Sequence, residues 1–578
     1  MIQTRKSPFL PTTKKEVEQL GWDELDVILF TGDAYVDHPS FGIAVIARVL
    51  ENMGLKVAVV PQPNWQDDLR DFKKLGRPRL FFGVSSGNMD SMINHYTANK
   101  RLRSDDAYTA GDKSGFRPDY ATTVYSTILK DLFPDVPVVL GGIEASLRRF
   151  THYDYWCDSL KKPILVDSKA DMLVYGMGEK VIADIAKALD NGASIASLQN
   201  IPQTAFISKQ RDYAKIENVE EILLANYDKC LADKKTFAST FKTIEEESNK
   251  MHSKRLIEPV DDGFMVVNPP AELMTTDELD SVYRLPFTRL PHPKYYKKGP
   301  ISAYEMIKFS VNIHRGCFGG CSFCTISAHQ GKFITSRSTP SIIDELTKLS
   351  MMADFKGNIS DLGGPSANMY KMQGKDLGIC EKCKRPSCAW PAICPNLHTD
   401  HNPLSELYKR VRDLPFIKKA SIGSGIRYDL FADSSEASTR YKSELIKYHV
   451  SGRLKVAPEH TNDNVLRLMR KPSIILFKKF YDDFTRINNA NNLRQQLVPY
   501  FISSHPGCTI ENMRQLATEM KSMNLQPEQV QDFTPTPMTL SSVMFYTSID
   551  PYTMKQVFVD RKKEDKLAQK DVFFWKKR

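Results

Sequence analysis

No apolar run in this 578-residue chain approaches the ~18 residues that a membrane-crossing helix needs. The opening stretch, Met1 to Pro8, has no apolar core of a secretory signal. Both absences lead us to expect a cytoplasmic protein with no membrane partner. No internal repeat is visible. A strong charge of either sign is also missing: 79 basic and 69 acidic side chains leave +10, thinly spread. That balance permits an RNA or phosphorylated substrate without demanding one. Scattered cysteine is scarce. Of the ten cysteines, only Cys157, Cys230 and Cys508 stand alone, and these read as ordinary thiols. The others fall in two tight sets, which in a cytosolic chain favours metal binding over disulfides. With 41% hydrophobic and 10% aromatic residues the chain is globular, and its length calls for two or three domains.

The first set, Cys317-Phe-Gly-Gly-Cys321-Ser-Phe-Cys324, lacks a fourth thiol. Clusters that only carry electrons usually have four cysteine ligands. Three thiols at C-x3-C-x2-C spacing can hold three irons of a [4Fe–4S] cluster and leave the fourth open to a substrate-like ligand. The competing reading is a zinc knot, but zinc takes four ligands in a closed site, and His314 and His329 lie outside the tight turn. The flanks fit a catalytic loop. Ile307 to Ile313 reads as a strand. Thr339-Pro340 reads as a helix start, with a capping hydroxyl and then proline, and Ser341 to Met352 has helical apolar spacing. In a β/α barrel, a loop after a strand and before a helix lies at the active-site end.

This spacing, with the aromatic Phe323 before the third cysteine, resembles the signature of the radical S-adenosylmethionine (SAM) enzymes. The resemblance implies that the open iron chelates SAM. An electron from the cluster then cleaves SAM to methionine and a 5′-deoxyadenosyl radical. It also implies an electron donor such as flavodoxin or ferredoxin.

Residues from about 24 to 195 alternate strand-like and helical runs, as expected of a doubly wound parallel sheet. Its carboxyl-edge loops carry glycine: Gly32-Asp33, Gly83 to Gly87, Gly141-Gly142 and Gly176 to Glu179. We expect a Rossmann-like domain over 1–200, a helical insert and proline-rich connector over 201–300, and a barrel over 301–550. A cysteine-rich insertion at 365–400 and a basic tail at 551–578 complete the chain. Ile216 to Asn226 and Thr236 to His252 are the insert's predicted helices. The tail places Phe573, Phe574 and Trp575 among Lys566, Lys570 and Lys576 to Arg578, which suits either RNA contact or a loosely docked end. Six strand-like runs, Ile307–Ile313, Asn358–Leu362, Lys419–Gly423, Leu454–Ala457, Gln496–Ile502 and Val530–Phe533, suggest six β/α units.

Nearly the whole chain resembles the YgiQ-type radical SAM proteins. The residues that carry this are Thr31 to Gly42, Gly141 to Arg149, the cysteine loop, Ala457-Pro-Glu-His460 and Pro499 to Gly507. The resemblance implies the cofactors and a partial (β/α)6 barrel; it implies no substrate. Gly363-Gly364 ends the second strand where these enzymes often carry Gly-Gly-Glu, with Pro365 in place of the glutamate. With Phe323, Ser424 and Glu459 these glycines are candidates for holding SAM, against the plainer reading of a turn. Arg427, His460 and His505, at strand ends, are candidate catalytic residues; structural roles compete for each. The second set, Cys380, Cys383, Cys388 and Cys394, can close a Zn2+ site or hold a second iron–sulfur cluster, with His398 and His401 as spare ligands. The front domain is similar in topology to cobalamin-binding domains. Its string Asp37-His-Pro-Ser-Phe-Gly42 breaks the Asp-x-His-x-x-Gly spacing, which argues against cobalamin; Asp33, Asp37 and His38 are expected to meet substrate instead. The rival reading is a non-catalytic, metal-stabilised RNA- or partner-binding protein.

Overall fold

The structure, a computed structural model, describes residues 7–211, 213–261, 263–525 and 530–573. The tail residues Phe574, Trp575 and 576–578, and most of the opening stretch, lie outside the described residues. The chain forms two units. One comprises Met1–Asp233, His252–Glu272 and Ser281–Lys308; the other comprises Lys234–Met251, Leu273–Asp280 and Phe309–Arg578.

The first unit is built on one nine-stranded sheet. Strands β1 (Val27–Thr31), β2 (Val57–Pro61), β3 (Phe81–Ser85), β4 (Val138–Leu140) and β5 (Met172–Val174) are mutually parallel. β1 and β2 are buried along their whole length, as strands covered on both faces must be. The helices Gly42–Asn52, Ala121–Leu132 and Glu179–Asp190 each bury one apolar face. This is the expected doubly wound half.

The expectation for 201–300 is corrected. β6 (Thr204–Ser208), β7 (Glu221–Leu223), β8 (Arg255–Val260) and β9 (Gly263–Val267) extend the same sheet, in the order β2-β1-β3-β4-β5-β6-β9-β8-β7. β5 pairs antiparallel with β6, so the parallel half ends there. The run Ile216 to Asn226 contains β7 and not a helix. Short β-branched runs such as Val266-Val267, paired in register with Leu256-Ile257, bury their apolar side chains between charged neighbours that suggest helical surface. The helix expected near Thr236 is present as Lys234–Ser248 and belongs to the second unit.

The second unit is the partial barrel. β10 (Ser310–Asn312) pairs parallel with β12 (Asp361–Gly363), and β11 (Asn358–Ile359) with β13 (Lys419–Ala420). A parallel bridge from Ile426 to Val456 leads to β14 (Arg453–Glu459), which pairs with β15 (Gln496–Ser503), itself paired with β16 (Val530–Asp532). Six strand positions thus follow one another in chain order, with the helices Thr339–Ser350, Asn402–Arg412, Glu436–Tyr448, Ile474–Ala490 and Ile510–Ser522 between them. Val311, Leu362, Val456 and Phe501 from the strands meet Leu346, Tyr408, Leu445 and Leu516 from the helices in one core.

Two boundaries differ from expectation. Ser302–Ile307 is helical, so the first barrel strand starts later than Ile307. The cap of the next helix is Ser338, whose hydroxyl accepts from the Ser341 amide at 3.2 Å. The tail is docked where it is described. The helix Lys563–Asp571 buries Gln569, which accepts from the Ser504 amide at 2.8 Å and donates to the Cys508 carbonyl at 2.9 Å.

Candidate active site

The cysteine loop is built by glycine. His314 and Arg315 pair antiparallel with Thr335 and Ser336, closing the neck of the loop. Gly316 has φ +87°, and a Cβ there would lie 2.1 Å from the Phe333 carbonyl oxygen. Gly320 has φ +58°, and its Cβ would lie 2.2 Å from the Pro386 oxygen. Neither position can take a side chain. At Gly319 a Cβ would sit 2.5 Å from Arg427 Nη1 and 3.3 Å from Cys317 Sγ. Backbone amides finish the turn: Cys317 N donates to Gly331 O, Cys324 N to Cys321 O, and Ser322 N to Met469 O.

The three thiols face one another. Burial pushes Cys317 up, and burial together with the charges of Cys321 and Cys317 pushes Cys324 up to about 12. Neighbouring thiols that resist ionisation alone are deprotonated outright by a metal. Among the described residues, no three His, Cys, Asp or Glu side chains converge closely enough for one metal ion.

Arg427 supplies the positive charge. Its Nη1 lies 3.7 Å from Cys321 Sγ, while Nε and Nη2 donate to Asp429 at 3.1 and 2.6 Å. Asn368 fixes its backbone, accepting from Arg427 N at 2.8 Å and donating to Arg427 O at 3.0 Å. Arg427 is thus both the structural ion pair and the thiols' neighbour. Glu459, after a register break in β14, sits at φ +67°, a strained setting for a non-glycine residue. Burial lifts its carboxyl above the usual range against Lys471, 3.7 Å away, and its charge reaches Cys324.

A small cleft of about 30 Å³ adjoins Cys321 and Cys324. Its walls include Arg470, Thr539 and, from the helix Lys234–Ser248, Phe241 and Glu245. Arg470 holds Glu245 bidentately at 2.7 and 2.9 Å, and Tyr552 donates to the same carboxylate at 2.7 Å. Sequence reasoning missed this trio because Glu245 and Arg470 stand 225 positions apart, and no local pattern marks them.

The other candidates bond and pack within the second unit. His460 is fully buried; its Nδ1 accepts from the amides of Thr461 and Asn462 and its Nε2 is 3.5 Å from Cys508 Sγ. His505 donates from Nδ1 to the Pro506 carbonyl, and its Nε2 meets the Ser541 hydroxyl at 2.7 Å. Burial lowers them to about 4 and about 3. The Gly364 Cβ position is filled by the His314 ring at 2.5 Å, and Gly363 packs on Asp361 and Ser424. Asp361 accepts from the Gly423 and Ser424 amides at 2.8 and 3.1 Å and from the Ser424 hydroxyl. Phe323 packs against the barrel core, 6.1 Å from the His505 ring. His401 is buried against Tyr441 and bonded to Asn368, so it is no spare ligand; His398 is exposed.

In the front unit, Asp33 is bonded to Arg117 at 2.8 Å and to the Asn88 amide at 2.7 Å, and burial lifts it to about 6. A Cβ at Gly87 would lie 2.1 Å from its carboxylate. Asp37 pairs with Arg48 and accepts from the Thr288 amide, and His38 Nδ1 accepts from the Ser40 amide. These three residues are internal, contrary to the expected substrate role. The glycines of this edge make room for a buried ion pair.

The second cysteine set forms a compact hairpin, 374–397. Cys383 N donates to Cys380 O, Cys394 N to Cys388 O, and Gly374 bridges to Leu397. Cys388, Cys394 and Cys317 all pack against the small core of Phe318, Met369, Met372 and Leu397.

With this geometry in view, the chain was compared with known proteins. The Radical SAM N-terminal family matches residues 9–310. A UPF0313 protein of Bacteroides thetaiotaomicron is 59% identical over 594 residues, covering 100% of this chain and 95% of the relative. The chain belongs to the UPF0313 family. Its UPF0313 relative in Porphyromonas gingivalis is 58% identical, covering 99% and 90%, and that of Methanocella arvoryzae 46%, covering 96% and 91%. The YgiQ-type resemblance is this same group, and the chain is an enzyme of the radical SAM class; the non-catalytic rival falls. Among solved structures, a radical SAM methyltransferase, TsrM from Kitasatospora setae, is similar at TM-score 0.48 and 15% identity, covering 89% of this chain and 75% of that one. A cobalamin-dependent SAM radical enzyme, OxsB, is similar at TM-score 0.46 and 11% identity, covering 93% and 56%. Among the described residues, no helix is long and apolar enough to cross a membrane.

Proposed function

We propose that this UPF0313 enzyme holds one [4Fe–4S] cluster on Cys317, Cys321 and Cys324, binds SAM at the open iron, and cleaves it reductively to begin radical chemistry on a still unidentified substrate. The observation that carries this reading is that Cys317, Cys321 and Cys324 lie near one another and near Arg427 in a loop whose glycine contacts exclude side chains. Bound there, the cluster supplies the electron that splits SAM into methionine and a 5′-deoxyadenosyl radical.

The chain's own residues prepare that chemistry. Arg427 offsets the negative charge of the thiolates, and Asp429 holds its guanidinium in place. Glu459, poised beside Cys324 with Lys471, is suited to accept from the ammonium or ribose of SAM. Gly363, Gly364 and Ser424 keep the rim of the second and third strands tightly packed next to it. The cleft beside Cys321 and Cys324, lined by Glu245 and Arg470, lies next to these thiols. In this reading the electron comes from a flavodoxin- or ferredoxin-type donor in the cytoplasm. The spacing of Asp37-His-Pro-Ser-Phe-Gly42 and the buried Asp33–Arg117 pair at the edge of the front sheet argue against cobalamin.

The test is anaerobic reconstitution with iron and sulfide, reduction, and measurement of 5′-deoxyadenosine from SAM. Wild type should form it, and Cys321→Ala should not. A Cys321→Ala protein that still forms it would refute the proposal.

A further inference from the structure

Lys332 lies at the end of the cysteine loop and is 2% exposed. Its ammonium donates to the Arg385 carbonyl at 2.9 Å, lies over the Phe333 ring at 5.0 Å, and approaches Cys383 Sγ to 4.0 Å. Among the described residues no carboxylate pairs with it. A buried ammonium with no anion is destabilising by several kcal/mol, on the order of the effective burial penalty for an ion. Neutral thiols do not remove that penalty. Four metal-bound thiolates do, because their charge exceeds that of the metal or iron–sulfide core they hold.

The surroundings of the four thiols have the features of such a centre. Asn396 donates its amide to Cys380 Sγ at 3.3 Å and to Asp376 O at 2.8 Å, an outer contact that would orient a sulfur ligand. Gly374 lets that sulfur approach; a Cβ there would lie 2.4 Å from it. The hairpin has few apolar residues of its own, and metal binding would supply its folding energy.

The same hairpin grips the first cysteine loop. Cys388 N donates to Phe318 O at 3.0 Å, and Ser387 Oγ donates to Gly319 O at 2.8 Å. The Pro386 carbonyl fills the space where a Gly320 side chain would be. The segment Cys317–Cys321 is therefore laid directly on residues 386–388.

We infer that Cys380, Cys383, Cys388 and Cys394 are the thiolate ligands of a second metal centre, that Lys332 is its buried counter-charge, and that this centre seats the Cys317–Cys324 loop. The seating role rests on the proposed first cluster; the second centre does not.

The experiment counts zinc and iron in the full chain purified without oxygen. A Cys317→Ala/Cys321→Ala/Cys324→Ala variant should keep about four irons per chain, since among the described residues no three ligand side chains converge closely enough for a single ion. A variant with neither metal, or with its remaining thiols joined as disulfides, overturns it. A Cys383→Ser/Cys388→Ser variant should lose that metal and reconstitute the first cluster several-fold less completely; a soluble variant that reconstitutes it fully overturns the seating role. Lys332→Met should release the second metal to a chelator about tenfold faster, and an unchanged rate refutes the counter-charge. Wild-type 5′-deoxyadenosine formation reports on the first cluster alone, so failure of the second centre and failure of the proposed function are separately visible.

Discussion

Glu245→Gln should loosen the helix Lys234–Ser248 from the pocket beside the cluster cysteines. Arg470 is 4% exposed and Glu245 16%, and two hydrogen bonds at 2.7 and 2.9 Å join them. The substitution keeps the shape and one acceptor oxygen but removes the charge, leaving Arg470 buried and uncompensated. Breaking a fully buried pair costs about 3–5 kcal/mol; the partial exposure of Glu245 reduces that to about 2–3 kcal/mol. Phe237, Phe241 and Ile244 still bury the helix's apolar face, so the expected outcome is local opening and not loss of the fold. At about 1.4 kcal/mol per factor of ten, amide hydrogen exchange within the helix should accelerate by roughly 30- to 100-fold. Exchange in the core helix Glu436–Tyr448 should not change. Arg470→Met added to Glu245→Leu should recover part of the loss, since the pair then leaves no charge behind. Exchange in Glu245→Gln equal to wild type would refute the reasoning, because the ion pair would then hold nothing.

Gly320→Ala should destabilise the cysteine loop by about 1–3 kcal/mol, since it adds a left-handed penalty and a Cβ 2.2 Å from a carbonyl oxygen; the check is iron retained after reconstitution, with wild-type retention counting against it. Acid should destabilise the barrel through its buried histidines. His460 and His505 are held neutral, at about 4 and about 3, below their ordinary value of 6.5. Between those values the unfolded chain binds more protons than the folded one. Their contribution is therefore complete above pH ~6.5 and falls by up to about 1.4 kcal/mol per histidine per pH unit below it. Urea midpoints between pH 7 and 5 should show this slope, and His505→Asn should flatten it.

The barrel was legible because its chemistry is local. The C-x3-C-x2-C spacing, the β-branched strands and the capped helix after the loop are short-range patterns, and each falls within a residue or a few of its expected place. The sheet extension over 204–267 was not legible. Its strands are three to six residues long, lie among charged residues, and acquire their apolar face only through pairing with partners such as Val267 opposite Leu256. The pocket trio and Lys332 were hidden for the same reason. A buried charge is recognised by what stands opposite it, and Glu245 and Arg470 are paired across 225 positions. His460 and His505 stand at strand ends, and their ring nitrogens bond the backbone turns there.

Glycine strings at sheet edges suggested ligands in both units, and charge bookkeeping separates them. In the front unit, the carboxylate beside Gly87 belongs to Asp33, and Arg117 answers it along with Asp106 at 3.4 Å. There one guanidinium is shared between two buried carboxylates. At the barrel rim, the group beside Gly319 is the guanidinium of Arg427, and Asp429 already engages two of its nitrogens. The remaining nitrogen faces Cys321. Three thiolates would outnumber the positive charge available to them there. An open set of this kind calls for additional positive charge, and sulfur ligands select iron or zinc to supply it. The same arithmetic, run with the sign reversed, applies at Lys332, where a cation waits among thiols for an anion.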